Sequence, residues 1–514
     1  MHLSVLPLGI ESGGKFIVII DDKVAETLGT HSLDRVDLEF KGRHALAIVN
    51  VARGFKRGSI GVYEEVRKVL DVDSGEKVKV KIAERPKSLG YIREKIAGRK
   101  LDRSEIKTIV KDVVERRLSD VEVASFVTAL EIYGICIDEA ESLTRAMIET
   151  GKKLNFKRKP ILDKHSIGGV PGDKTTMLVV PIVAAAGYTI PKTSSRSITS
   201  PAGTADRVEP LCPVELTLQE IYNVVEKTNG CMVWGGTLDL APADDLFITV
   251  ENPLSMDPLL LPSILSKKKA AGSRYIVLDI PTGRGAKIET QTEAYHLAND
   301  FIELGRRLGL HIECASTFGG QPVGYAVGPA LEAREALETI MGNGAEDLKN
   351  KAITLAGTLF QMVGENDGVK IARELFHSKK AEKKLREIIE AQGGNPKIKP
   401  EDIQVGEEVY DYCSEKDGRV LWITNSVIVK IAKEAGAPKD KGAGVILKAK
   451  MGNAVKKGQT LLRIYAENNS KLDSAIDLIS GLNAFVIGRK FEENMLLERI
   501  SARKLHERRY LLER

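Results

Sequence analysis

The stretch Asp163-Lys164-His165-Ser166-Ile167-Gly168-Gly169-Val170-Pro171-Gly172-Asp173-Lys174-Thr175-Thr176 combines glycines, two lysines, hydroxyls and a histidine. Glycines let backbone N–H groups approach an anion, lysine supplies charge, and Ser or Thr adds donors. A nucleoside-triphosphate P-loop, GxxxxGK[ST], would need glycine where Asp173 stands, and an aspartate there would repel phosphate oxygens. An anion loop of another kind and an ordinary Gly-rich turn both remain open. A second stretch, Lys192 to Asp206, carries hydroxyls at Thr193, Ser194, Ser195, Ser197, Thr199, Ser200 and Thr204 beside Lys192 and Arg196. That density suits an oxygen-rich ligand such as ribose plus phosphate, against the alternative of a flexible polar loop.

In a third stretch, Asp257 precedes Pro258 at an expected helix start, flanked by Met256 and Leu259 to Leu261. Partial burial there would raise its pKa, as a general acid at neutral pH requires; a plain N-cap aspartate is the competing reading. Lys267, Lys268 and Lys269 follow Ser263 and Ser266 and read as a solvated face. Pro281 to Lys287 has only GxG spacing, weak as a dinucleotide signature, and reads as a βα turn that aims Lys287 at a ligand. His296, His311 and His377 are isolated and taken as structural.

The elements that would position these residues change character along the chain. Residues 15–20, 35–40 and 77–82 are strand-like runs, so 1–84 is expected to be a β-rich, barrel-like module. Ile106, Ile109, Val110, Val113 and Val114 have helical spacing with Ser104 as N-cap, and capping boxes are expected at Ser119–Glu122 and Asp138–Glu141. Residues 85–153 therefore read as a helical lobe. Over 154–395, buried runs such as Leu178–Gly187 (helix) and Tyr275–Ile280 (strand) alternate with Gly-rich turns, as in an α/β domain. Gly393-Gly394-Asn395-Pro396 opens a final α+β module over 396–502, with strands at 443–447 and 456–465 around Lys456-Lys457-Gly458, and 503–514 is a basic tail. The fold class expected is α/β and multidomain.

Composition narrows the function classes. The chain has 514 residues, 43% apolar and 29% charged, which excludes disorder and collagen as the main state. Lys plus Arg number 76 and Asp plus Glu 71, and the resulting +5 shows no polynucleotide footprint. Five dispersed cysteines indicate neither a disulfide framework nor a zinc site, and the expected setting is a reducing cytoplasm. No signal peptide and no membrane-length apolar run are read, so no membrane partner is expected.

Lys164-His165-Ser166 with Gly168-Gly169, the loop Ser194–Asp206, Ser263-Ile264-Leu265-Ser266-Lys267-Lys268, and Gln321–Gly324 with Gly328–Glu332 together resemble the thymidine/pyrimidine nucleoside phosphorylase family over residues 85 to 500. Within it the sequence is similar to the archaeal branch that acts on AMP. Pro171 is inserted where pyrimidine enzymes read GGVGD, the second loop is richer in serine than glycine, and Ile248 falls near their base-binding arginine.

The resemblance implies phosphorolysis of AMP to adenine and ribose 1,5-bisphosphate, with CMP and UMP as further substrates. Inorganic phosphate would be a co-substrate, with no cofactor and no metal. It implies Asp257 as general acid. Lys164, Ser166, Thr176, Ser194 and Thr204 would bind phosphate; Gly169, Ser195, Arg196, Ser197, Ile198, Thr199, Ser200, Thr204, Ser263 and Lys287 would bind the nucleotide. Arg196 and Lys287 are the cations for the ester phosphate, and His165 and Lys267 are base-side candidates. It also implies a helical lobe, completed by residues 240–270, facing an α/β lobe, and a homodimer extended to larger assemblies. The alternatives are a thymidine or uridine phosphorylase, a phosphoribosyltransferase, for which no paired acidic metal motif is present, and a non-enzymatic nucleotide-sensing assembly protein. A carrier reading of the last module through Lys450 lacks the modified-lysine context.

Overall fold

The computed structural model describes residues 1–197 and 200–488 and divides into two compact units. The first unit comprises residues 1–163, 235–276 and 297–313; the second comprises 164–234, 277–296 and 314 onward. The basic tail and the end of the expected C-terminal module lie outside the described residues.

The chain begins as a closed barrel of strands β1 (His2–Pro7), β2 (Ile17–Asp21), β3 (Arg35–Phe40), β4 (Arg43–Ala52), β5 (Ser59–Val62) and β6 (Lys77–Ile82), in the order β1-β5-β2-β4-β3-β6. Alternation fills it: Leu3 and Val5, Val18 and Ile20, Val36 and Leu38, Ala47 and Val49, Val78 and Val80 are all buried in one core. β1 with β5 and β2 with β4 pair in parallel, the rest antiparallel.

The same unit continues into helices Ser88–Ile96, Arg103–Val114, Asp120–Tyr133 and Ile137–Thr150, and regains the chain later for Pro242–Leu254 and Leu260–Ala270. Phe126, Leu130, Leu143 and Met147 share a core with Phe247 and Leu259, so the late helices complete the bundle. The box at Ser119 and Glu122 is present. Two expected starts shift. Asp102, not Ser104, caps Arg103–Val114, because its carboxylate reaches the Ser104 and Glu105 N–H groups while Glu105 bonds back. Helix Ile137–Thr150 starts before Asp138, since Glu139 accepts from the Cys136 N–H.

In the second unit, the buried helix Thr176–Ala185 is apolar all round and ends just before Gly187, whose φ of +89° suits glycine alone. Strands Leu162–Ser166, Tyr275–Thr282 and His311–Phe318 form a sheet with Tyr275–Thr282 central, and Ile190–Ser194 pairs in parallel with Gly230–Trp234. The final module shares a sheet with what precedes it. The short strand Ala326–Val327 pairs with Gly444–Leu447, which leads on to Thr460–Ala466 and Glu408–Cys413. A second sheet joins Ala454–Val455, Gly418–Ile423 and Phe485–Gly488. Lys456-Lys457-Gly458 is the turn between Ala454–Val455 and Thr460–Ala466, with Gly458 at φ +83°. Among the described residues no helix is long and apolar enough to cross a membrane.

Candidate active site

The strand Leu162–Ser166 carries Lys164 in its middle and runs into the glycine loop, after which the helix Thr176–Ala185 begins. Gly168, Gly169 and Gly172 all have φ between +76° and +87°, a backbone that presents N–H groups where a side chain would strain it. Thr176 opens the helix and is buried; Ser166 is half-buried, and its Oγ accepts from the Gly168 N–H at 3.4 Å. His165, next to Lys164, is half-buried.

Behind the loop lies a buried quartet of alternating charge. The Lys164 ammonium is 3.8 Å from Asp173 and 3.7 Å from Asp279, while Lys351, on helix Glu346–Met362, sits 3.2 Å from Asp173 and 2.8 Å from Asp279. Thr317 donates to Asp279 at 2.6 Å, and Thr175 donates to Asp173. Burial pushes the Asp173 carboxyl up, yet Lys164 and Lys351 together hold it well below the usual carboxylate range. Burial likewise works against the Lys351 charge, and the two aspartates raise it nonetheless. Asp173, which ruled out a P-loop, is thus a neutralised structural anion. Lys174 points inward to the Gly172, Val323 and Ala326 carbonyls and pairs with Glu335 at 2.6 Å.

The hydroxyl-rich loop is organised by Asp206, whose carboxylate accepts from the Ser197 and Gly203 N–H groups at 2.7 and 2.9 Å. Arg207 ties this loop to the glycine loop by donating to Ala202 and Asp173 carbonyls, each at 2.7 Å, while pairing with Glu332 at 2.6 Å. Several expected ligand contacts are spent inside the protein. Ser194 donates to the Val233 carbonyl, Ser197 to that of Ser200, and Ser200 to that of Ala202. Arg196, expected as a phosphate cation, is paired instead with Asp206, Glu209 and Glu215 and lies over the Trp234 ring. Three carboxylates meet its one charge; the Arg196 hydrogen bond in turn holds Glu209 down at about 2. Ser195 is exposed and Thr204 half-buried at the start of the helix that follows Gly203, while Ile198 and Thr199 lie outside the described residues.

Lys287 follows the strand Tyr275–Thr282 and is exposed, and its backbone packs on Gly169 so closely that a Cβ there would lie 2.6 Å from the Lys287 nitrogen. The second unit therefore brings Lys164, Ser166, Gly169, Thr176 and Lys287 onto one connected backbone framework.

In the first unit, Asp257 is exposed, so the partial burial expected for it is absent. Nor is it the helix cap: Leu259 holds that position, and Asp257 contributes its carbonyl to the Leu260 N–H at 3.3 Å. Ser263 is half-buried on helix Leu260–Ala270. The lysines expected to be solvated are not. Lys268 is buried against Asp163 at 2.8 Å, and Lys267 pairs with Asp244 at 2.5 Å and Asp245 at 3.4 Å. Burial opposes the Lys267 charge, but these two carboxylates raise its pKa. Lys450, weighed as a carrier lysine, is buried, and its ammonium bonds to the Pro322 carbonyl and Asp347 at 2.5 and 3.0 Å, which leaves no swinging arm.

Sequence reasoning missed Asp279, Lys351 and Asp206. Asp206 stood at the end of a stretch already singled out; Asp279 and Lys351 sit in a buried strand and an ordinary helix, with no local pattern to mark them.

Comparison with known proteins adds to this geometry. Residues 89–151 match the helical bundle domain of the glycosyl transferase family, residues 158–382 its a/b domain, and residues 422–485 the pyrimidine nucleoside phosphorylase C-terminal domain. The chain is 49% identical over 500 residues to an AMP phosphorylase of Thermofilum pendens, covering 97% of this chain and 98% of that protein. It is 51% identical over 497 residues to one from Pyrococcus furiosus (96% and 98%) and 47% identical over 509 residues to one from Methanocaldococcus jannaschii (98% and 99%). A solved anthranilate phosphoribosyltransferase from Thermus thermophilus aligns with 59% of this chain and 98% of its own at 21% identity, with a TM-score of 0.48.

Proposed function

The chain belongs to the AMP phosphorylase family, and on that premise we propose that it cleaves AMP with inorganic phosphate to adenine and ribose 1,5-bisphosphate. The observation that carries the reading is the packing of Lys287 on Gly169, because a substrate pair with two phosphates needs two cationic positions beside one loop. Inorganic phosphate would lie against Lys164, Ser166, Thr176 and the loop N–H groups. One of its oxygens bonds to C1′ as the glycosidic C–N bond breaks, the bond electrons leave with the base, and the base takes up a proton. We assign that proton to Asp257, with bound nucleotide supplying the desolvation its exposed side chain lacks. Lys287 would hold the ester phosphate, with Gly169, Ser195, Thr204 and Ser263 on the nucleotide and His165 and Lys267 toward the base. The partners of Arg196 and of the Ser194, Ser197 and Ser200 hydroxyls give those residues the task of shaping the second loop.

The reaction as written needs no cofactor and no metal. CMP and UMP are proposed as further substrates, a homo-oligomer as the working state, and the cytoplasm as its setting. Base release from AMP and from adenosine, each with and without inorganic phosphate, tests the reading. Release from AMP alone, and only with phosphate, is expected. Cleavage of thymidine or uridine with AMP untouched would overturn it in favour of a pyrimidine nucleoside phosphorylase.

A further inference from the structure

The turn that delivers Lys287 is held from outside by the C-terminal module. Gly283 and Gly285 have φ of +146° and +74°. The turn closes on itself through the Ala286 N–H to the Gly283 carbonyl at 3.0 Å, the Gly283 N–H to the Ile288 carbonyl at 3.1 Å and the Gly285 N–H to Glu289 at 3.1 Å, and the module adds contacts from a second side. It stacks on the loop after strand His311–Phe318: a Cβ at Gly319 would lie 3.0 Å from Ala286 Cβ, and one at Gly283 would lie 3.0 Å from the Gly320 nitrogen. Asn425, the first residue of helix Asn425–Glu434, is 3% exposed at this junction. Its amide nitrogen donates to the Gly319 carbonyl at 2.9 Å and to the Gly285 carbonyl at 3.4 Å, one proton to each layer. Just before it, Trp422 on strand Gly418–Ile423 lies under the Arg284 guanidinium, 3.8 Å from ring centroid to carbon. One short segment of the module thus grips the turn at two successive residues, two and three positions before Lys287.

We propose that Asn425, assisted by Trp422, is a positioning residue that fixes Lys287 against Gly169 and so sets the affinity for the ester phosphate of the nucleotide. This rests on the assignment of Lys287 to that phosphate. The chemistry explains the residue type. Two facing carbonyls need two donors from one side chain, which an amide supplies and a carboxylate would repel. Lys164 lies on strand Leu162–Ser166 and Lys351 on helix Glu346–Met362, and Asn425 has no bond to either. Asp279 lies on strand Tyr275–Thr282, four residues before Gly283, where Lys351 and Thr317 hold it independently of Asn425. The device is therefore expected to act on the nucleotide more than on inorganic phosphate.

The test is steady-state phosphorolysis by the full chain, with AMP and inorganic phosphate varied separately, for Asn425→Ala, Asn425→Asp, Trp422→Leu, Lys287→Ala and the Asn425→Ala/Lys287→Ala double variant. Asn425→Ala is expected to raise the KM for AMP roughly ten-fold, with kcat and the KM for phosphate within about two-fold. Asn425→Asp should be worse than alanine, and Trp422→Leu, which keeps all charges, should raise the same KM about three-fold. In the Lys287→Ala background, Asn425→Ala should add less than about two-fold. Equal fold-changes in both backgrounds, or losses confined to kcat and thermal stability, would overturn the positioning role while leaving Lys287 on the ester phosphate. An unchanged KM for AMP in Lys287→Ala would instead remove the Lys287 assignment, and this inference with it.

Discussion

Replacing Lys351 with methionine removes one ammonium from the buried quartet and leaves Asp173 and Asp279 to share Lys164. At an effective dielectric of about 20, a unit-charge contact at the observed 2.8 and 3.2 Å is worth roughly 5–6 kcal/mol gross, much of it offset by desolvation. Breaking a buried pair by removing one partner costs about 3–5 kcal/mol net, so a large fall in melting temperature is expected. The quartet also acquires one uncompensated negative charge. That charge would lie behind Lys164 by the observed 3.7 to 3.8 Å, with a phosphate oxygen on the far side at about 2.8 Å. Over the combined ~6.5 Å, repulsion of one unit charge is about 2–3 kcal/mol, a roughly 30- to 150-fold rise in the KM for phosphate. The sign of the pH effect follows from Asp173, whose folded pKa is depressed. The stability this group contributes is present above its unfolded pKa, about 4, and is lost as pH falls through the lower folded value. Without Lys351 the folded value rises, so the acid arm of a melting-temperature profile should move to higher pH. Differential scanning fluorimetry across pH 3–8 and phosphate titration of initial rates measure both effects. A variant that melts like the parent and keeps its KM for phosphate within two-fold would refute the coupling of Lys351 to the Lys164 anion site.

Three other variants separate the remaining roles. Asp257→Asn should lower turnover by at least ~10²-fold with little change in thermal stability, as befits an exposed acid; near-parental turnover in steady-state assays would remove it from the mechanism. Gly169→Ala must accept a φ of +87° and a Cβ 2.6 Å from the Lys287 backbone, so it should lose both melting temperature and AMP affinity, and retention of both would show that the turn yields easily. Arg196→Ala should destabilise at pH 7 and much less near pH 3. Glu209, held at about 2 chiefly by the Arg196 hydrogen bond, contributes stability above its unfolded pKa of about 4.5 that fades as pH falls toward 2. A strong rise in the KM for AMP with unchanged melting in that variant would return Arg196 to the ester phosphate.

What could be read from the sequence was whatever depends on neighbours along the chain. Strand Arg35–Phe40 and strand Lys77–Ile82 announce themselves by alternation, the Ser119 box by its three-residue spacing, and the buried helix before Gly187 by its unbroken apolar run. The Asp102 and Glu105 pair had the same spacing signal, and Ser104 obscured it only because both residues are short and polar. Strand His2–Pro7 was not legible, since Leu3 and Val5 are too brief an alternation to outweigh turn and loop alternatives. Long-range charge pairing was the larger blind spot. Lys267 and Lys268 read as a solvated run because nothing local reveals Asp244 and Asp163, and Arg196 read as a free cation because Glu209 and Glu215 lie beyond the loop. A basic residue in a polar loop has the same sequence signature whether it awaits a ligand or is already neutralised.

That ambiguity bears on Lys164 itself, which is 1% exposed and has two carboxylates near it, and the distances support its proposed place at the phosphate. Lys351 makes the short contacts to Asp173 and Asp279, while Lys164 is left with contacts of 3.8 and 3.7 Å, beyond the ~3.2 Å reach of a strong N–H···O bond. Two ammonium groups and two carboxylates balance, so the quartet can be desolvated as the protein folds. Within it, both lysines neutralise the carboxylates, but only Lys351 makes the short contacts, and Lys164 acts on them from 3.7 to 3.8 Å. An anion arriving at Lys164 then has no hydrogen bond to these carboxylates to displace and little solvent to strip from the lysine, and it meets a charge whose position the buried aspartates have already fixed. Arg196, at 2.6 to 3.3 Å from three carboxylates, has no such reserve. On the proposed assignment, the length of the ion pair, more than the presence of the charge, separates Lys164 at the phosphate from Arg196, which holds a loop.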